Sequence, residues 1–140
     1  MSTFLELFGT SASAENDGVE VRYDNETWFR TRRAGGHNNR FDLAMEKHTR
    51  AHRALIKAGK LSNDLAKEIQ HRCVAETLLV DWGLKLPDAE GNDVSVPFSV
   101  EKAIELFDMS PDFYNAVWEA ANDARLFKES ADLKADAGNS

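Results

Sequence analysis

The chain has 140 residues, of which 42% are hydrophobic and 29% charged, and its net charge is −7. That length suits one domain with a modest core, and the composition is that of an ordinary soluble protein. It excludes a helical membrane span, because no run approaches the roughly 18 apolar residues needed. The single cysteine, Cys73, excludes an internal disulfide and fits a reducing, cytoplasmic setting.

The charge is unevenly placed. Residues 1–21 carry a net −4, residues 22–60 a net +6 and residues 61–140 a net −9. The simpler reading is that this basic band pairs with the acidic flanks inside the fold. The sharper one is that it forms a partner surface.

Residues 1–17 begin with an apolar cluster, Phe4, Leu5, Leu7 and Phe8, and continue in Ser, Ala and Gly. Residues 1–8 are too short, and lack the basic start, for a secretory signal. The segment is expected to be flexible, with the cluster as an anchor for the core or for a partner.

Residues 18–33 read as a hairpin. Val19, Val21 and Tyr23 alternate with Glu20 and Arg22, Asp24-Asn25-Glu26 supplies a turn, and Trp28-Phe29 opens a second strand. Gly35-Gly36 breaks that strand and forms a joint. Asn38 or Asn39 then caps a helix whose face is Phe41, Ala44, Met45, His48, His52 and Leu55, and Gly59 ends it. Ser62 caps a second helix with Leu65, Ile69, Cys73, Thr77 and Val80 on one side, closed by Gly83.

Residues 84–98 read as a loop in which Val94-Ser95-Val96 forms a brief strand or lies extended. Ser99 caps a short helix with Val100, Ala103, Ile104 and Phe107. Ser110-Pro111-Asp112 starts a last one with Phe113, Tyr114, Val117, Trp118, Ala121, Ala124 and Phe127. The inward stripes place Phe41, Met45, Leu55, Leu65, Ile69, Leu78, Ile104, Phe107, Val117 and Trp118 in the core. The expected fold is mostly α, a small helical domain of about four helices with an N-terminal β-hairpin. It spans residues 18–128, after a flexible segment over residues 1–17 and before a disordered tail over residues 129–140.

No catalytic signature emerges. His48 and His52 have metal-sharing spacing, but no glutamate follows His48 and no third ligand is indicated. There is no phosphate loop, dinucleotide fingerprint or nucleophile elbow. The chain is therefore read as a binding protein rather than an enzyme, with no cofactor and no metal. Arginines beside aromatics suit nucleic acid, but the acidic balance of the chain opposes a long polyanion.

The candidate partner-binding residues are Trp28, Phe29, Arg30, Arg32 and Arg33. Adjacent strand residues point to opposite faces, so Trp28 or Phe29 lacks a core position. The arginines concentrate positive charge, and aromatics and arginines are enriched at interface hot spots. Tyr114 and Trp118 on the last helix offer a second site.

Residues 31–41, Thr31-Arg32-Arg33-Ala34-Gly35-Gly36-His37-Asn38-Asn39-Arg40-Phe41, resemble a segment of the tail assembly chaperones of long-tailed bacteriophages and prophages. Ala75-Glu76-Thr77-Leu78-Leu79-Val80-Asp81-Trp82 is similar to the end of their second helix. Pro97-Phe98-Ser99-Val100-Glu101-Lys102-Ala103 is similar to the start of their third, and residues 112–127 to their last. The resemblance spans residues 19–129 as an order and spacing of elements.

The resemblance implies a protein of the host cytoplasm that holds the tape measure protein soluble and helps recruit tail tube protein subunits. It leaves a homo-oligomer open, and it implies neither a nucleic-acid nor a membrane partner. The alternative is a structural minor tail or adaptor protein of the virion.

Overall fold

The structure is a computed structural model that describes residues 3–128. The tail expected over residues 129–140 lies outside the described residues. Two short helices come first, α1 (Thr3–Phe8) and α2 (Ala12–Asp17), and then a hairpin of β1 (Val19–Arg22) and β2 (Trp28–Thr31). Helices α3 (Arg40–Arg50), α4 (Arg53–Lys57) and α5 (Asn63–Thr77) lead into β3 (Leu79–Gly83). A second hairpin, β4 (Lys85–Pro87) and β5 (Asp93–Ser95), precedes α6 (Val100–Met109), α7 (Pro111–Ala121) and a 3-10 turn, Ala124–Phe127.

This corrects the expected fold class. Among the described residues there are seven α-helices and two antiparallel sheets, with 54% helix and 18% strand, so the fold is mixed α/β rather than about four helices with one hairpin. Residues 3–8 and 12–17 form α1 and α2, residues 85–87 and 93–95, read as part of a loop, pair as β4 and β5, and two further local causes account for the rest of the difference. The pattern read as one helix from Asn39 to Gly59 turns at Ala51-His52, which splits it into α3 and α4. The residues read as the end of the second helix leave it at Leu78 and form β3 against β2.

The three-stranded sheet runs β1-β2-β3, with β2 central and both pairings antiparallel. Phe29 faces Val21 on one side and Trp82 on the other. Leu79 and Trp82 are three residues apart, so strict alternation would send them to opposite faces. The register shifts where Arg30 pairs with Asp81 and Thr31 with Leu79, leaving Val80 as an extra residue, and both side chains then turn inward.

The core lies between this face and the helices. Phe29, Val74, Leu78, Trp82, Phe107 and Val117 are all buried there. Trp82 also donates its indole N–H to Val96 O at 2.8 Å, which ties the second hairpin to the sheet. The helix starts follow the sequence: the Ser62, Ser99 and Ser110 hydroxyls accept from Leu65 N, Lys102 N and Phe113 N. Of the expected core positions, Leu55 is exposed at 42%, because it falls on α4, every residue of which is exposed.

Candidate functional site

The seven candidate residues fall in three places. Trp28 and Arg30 lie on the outer face of the sheet, both partly exposed, opposite Gly83 and Asp81 of β3. The indole of Trp28 lies so close over Gly83 that a side chain there would collide with it, and the Arg22 guanidinium sits 5.8 Å from the ring centroid. Phe29 points the other way into the core and meets Phe113 edge-on at 6.2 Å.

Arg32 and Arg33 form the second place, where the chain ties several elements together. Arg32 N donates to Leu78 O, Arg33 N to Glu15 O and Ala34 N to Ala121 O. These bonds reach the end of α5, then α2, then the end of α7. The Arg32 guanidinium donates to Asn16 O at 2.7 Å and to Thr77 O at 3.2 Å. Burial, and then the nearby Arg40, push its pKa down from the ordinary value.

The centre of this joint is Glu15, which the sequence reading did not single out. Its side chain is fully buried and accepts from Thr10 Oγ1 at 2.8 Å, His37 Nδ1 at 2.6 Å, His37 N at 3.1 Å and Arg33 Nη1 at 2.9 Å. Burial works to raise the carboxyl pKa. The bonds from His37, Thr10 and Arg33 outweigh it and hold the group below its ordinary value. Gly36 takes φ +61° beside this carboxylate, where any side chain would overlap it. Gly36 is thus fitted against Glu15, whereas the space at Gly35 is open. Asn38, also buried, caps the joint by donating to Arg33 O and accepting from Arg40 N.

Tyr114 and Trp118 form the third place, stacked one helical turn apart on α7 with ring planes 8° from parallel. Trp118 packs on Phe41 of α3. Tyr114 lines an open groove of about 430 Å³ between α5 and the α6–α7 corner. Ala66, Phe107, Pro111 and Tyr114 give the groove its apolar lining, and Asn63, Lys67, Gln70, Asp108 and Asn115 give it polar groups. His71 sits at its edge, 4% exposed, donating Nδ1–H to Asp108 Oδ1 at 2.9 Å with its ring 4.6 Å from that of Tyr114. The sequence paired His71 only with Cys73, two residues on and pointing elsewhere, and did not bring it to Asp108, because the two lie on different helices and share no motif spacing.

Burial raises the Cys73 thiol to about 11 and the Tyr114 hydroxyl to about 12, so both keep their protons at neutral pH. The Tyr114 hydroxyl is buried with no hydrogen-bond partner among the described residues. His48 Nε2 lies 3.1 Å from Glu76 Oε2 across α3 and α5. Among the described residues, no group of three or more His, Cys, Asp or Glu is placed to hold a metal ion, and no helix is long and apolar enough to cross a membrane.

The chain was compared with curated proteins and with solved structures, and neither gave a match. Residues 36–139 match the family model of the YdaY prophage protein. The match starts at the glycine joint and takes in every helix and strand from α3 onward, leaving the first hairpin and the Glu15 segment outside it. With well over half of its 140 residues matched, the chain belongs to the YdaY prophage protein family.

Proposed function

We propose that this prophage protein is a tail assembly chaperone that binds the tape measure protein and helps recruit tail tube subunits in the host cytoplasm. The observation that carries the reading is the groove beside Tyr114. A long helical client exposes apolar stripes before assembly, and a chaperone needs an apolar floor with a polar rim to receive one. The groove has that build: Phe107, Pro111 and Tyr114 on the apolar side, Asn63, Gln70 and Asn115 as amides able to pair with polar client groups. Its volume of about 430 Å³ holds one or two apolar side chains, which suits repeated weak contacts along a client.

The role is binding rather than chemistry. The buried Cys73 thiol and the Tyr114 hydroxyl both stay protonated at neutral pH. Membership of a prophage family supports the setting. The resemblance in residues 31–41 supports the chaperone reading, because those residues form the joint that fixes α7, and with it Tyr114, against the sheet.

The test is co-expression with the tape measure protein of the same prophage. The chaperone reading predicts that the client becomes soluble and co-purifies with this chain. Purified particles should lack the chain by mass spectrometry. Stoichiometric presence in virions would support the structural tail or adaptor role instead.

A further inference from the structure

The α3–α4 corner presents a cationic surface on this acidic protein. Residues 47–60 hold five Lys or Arg and no Asp or Glu. Arg50 pairs with Glu46 at 3.5 Å, whereas Lys47, Arg53, Lys57 and Lys60 have no ion-pair partner among the described residues. Every residue of α4 is exposed, Leu55 and Ile56 each at 42%. A basic helix with two partly exposed aliphatic side chains is built for contact with an acidic, partly apolar surface.

The chain itself carries such a surface. Glu101, Glu105 and Asp108 run along α6 at steps of four and three residues, and Asp112 follows at the start of α7. The first three side chains are 77%, 59% and 66% exposed. Met109, 60% exposed, lies among them. Arg72, Lys102 and His71 already touch these acids, but such pairs with exposed partners contribute little and leave the carboxylates free to take further cations. Asp112 has no ion-pair partner among the described residues.

We infer that two copies of this chain associate by laying the basic α4 finger of one on the acidic α6 face of the other. Arg53 and Lys57 are four residues apart, as are Glu101 and Glu105, so each pair spans about 6 Å of helix and the charges fall in register. The assembly inferred is the closed two-fold pair, in which the finger and the face of each copy are both engaged. A nucleic-acid partner suits the finger less well, because a polyanion approaching it meets the field of a molecule with a net charge of −7. The inference is independent of the client groove and stands whether or not the chain is a chaperone.

The experiment is light scattering after size exclusion, at low and at high salt. The wild-type chain is expected to be dimeric at low salt and to dissociate as salt rises, because exposed charge pairs are screened over about 8 Å at physiological ionic strength. The finger variant Arg53→Glu with Lys57→Glu and the face variant Glu101→Lys with Glu105→Lys should each be monomeric alone. Mixed in equal amounts they should re-associate, since the reversed charges complement each other. All four sites are exposed, so thermal melts of both variants should stay near the wild type. A monomeric wild type at low salt, a finger variant that still dimerises, or a mixture that stays monomeric would overturn the inference. Salt-sensitive binding of duplex DNA by a monomeric wild type, lost in the finger variant, would overturn it too and assign the finger to nucleic acid.

Discussion

Replacing Glu15 tests whether the arginine-glycine joint is architecture. Glu15→Ala removes the acceptor for Thr10, for the His37 ring and backbone N–H, and for Arg33. Removing one partner of a buried pair costs about 3–5 kcal/mol, because the groups left behind lose their partner without regaining water. Here the Arg33 and His37 side chains are 23% and 60% exposed and recover some hydration, so the lower end applies, about 3 kcal/mol. Glu15→Gln keeps the volume and one acceptor oxygen and should cost about 1–2 kcal/mol. The assay is urea denaturation followed by circular dichroism at neutral pH and again in acid. The Glu15 carboxyl is held below its ordinary value of 4.5, so its contribution is complete above that pH and falls away as pH drops through the lower folded value. The gap between wild type and Glu15→Gln should therefore narrow in acid. A Glu15→Ala protein within about 0.5 kcal/mol of wild type, or a gap that acid leaves unchanged, would refute the reasoning.

Changing Arg32 and Arg33 together to serine should lower stability by about 2 kcal/mol or more, since bonds to Asn16, Thr77 and Glu15 are lost at once; intact denaturation midpoints with lost client capture would instead assign both arginines to the partner surface. Leu78→Ala, at a fully buried position, should cost about 2–5 kcal/mol in the same assay, and Leu55→Ala almost nothing. Tyr114→Phe should leave the melting temperature unchanged or raise it, because the hydroxyl it removes is buried with no partner among the described residues; a clear drop would refute this.

Local signals in the sequence were strong where one residue decides a local geometry. Ser62, Ser99 and Ser110 with Pro111 announce three helix starts, and the alternation around Val19 and Val21 announces the first hairpin. The sequence misled where tertiary contact decides. Leu78 to Trp82 carries no period-two pattern, because the extra residue Val80 shifts the register, so a central strand's partner reads as the end of a helix. Leu55 holds an inward phase on a continuous helix, and the turn at Ala51-His52 moves it into solvent. Glu15 lies in a small, polar stretch that looks unstructured, and its importance comes from groups 18 and 22 residues away. The adjacency of Trp28 and Phe29 did convey that the two would part, one to each face of the sheet, though not which would be buried.

The central claim is that the groove beside Tyr114 receives a helix of the tape measure protein. Ala66 lies in the groove lining and is exposed, so Ala66→Trp fills the space with little effect on the core. The decisive measurement is capture of the co-expressed tape measure protein by this variant, beside its thermal melt. The account predicts capture reduced by about tenfold or more, a loss near 1.4 kcal/mol, with the melt within a few degrees of wild type. Wild-type capture by a folded Ala66→Trp protein would contradict it and move the client to another surface.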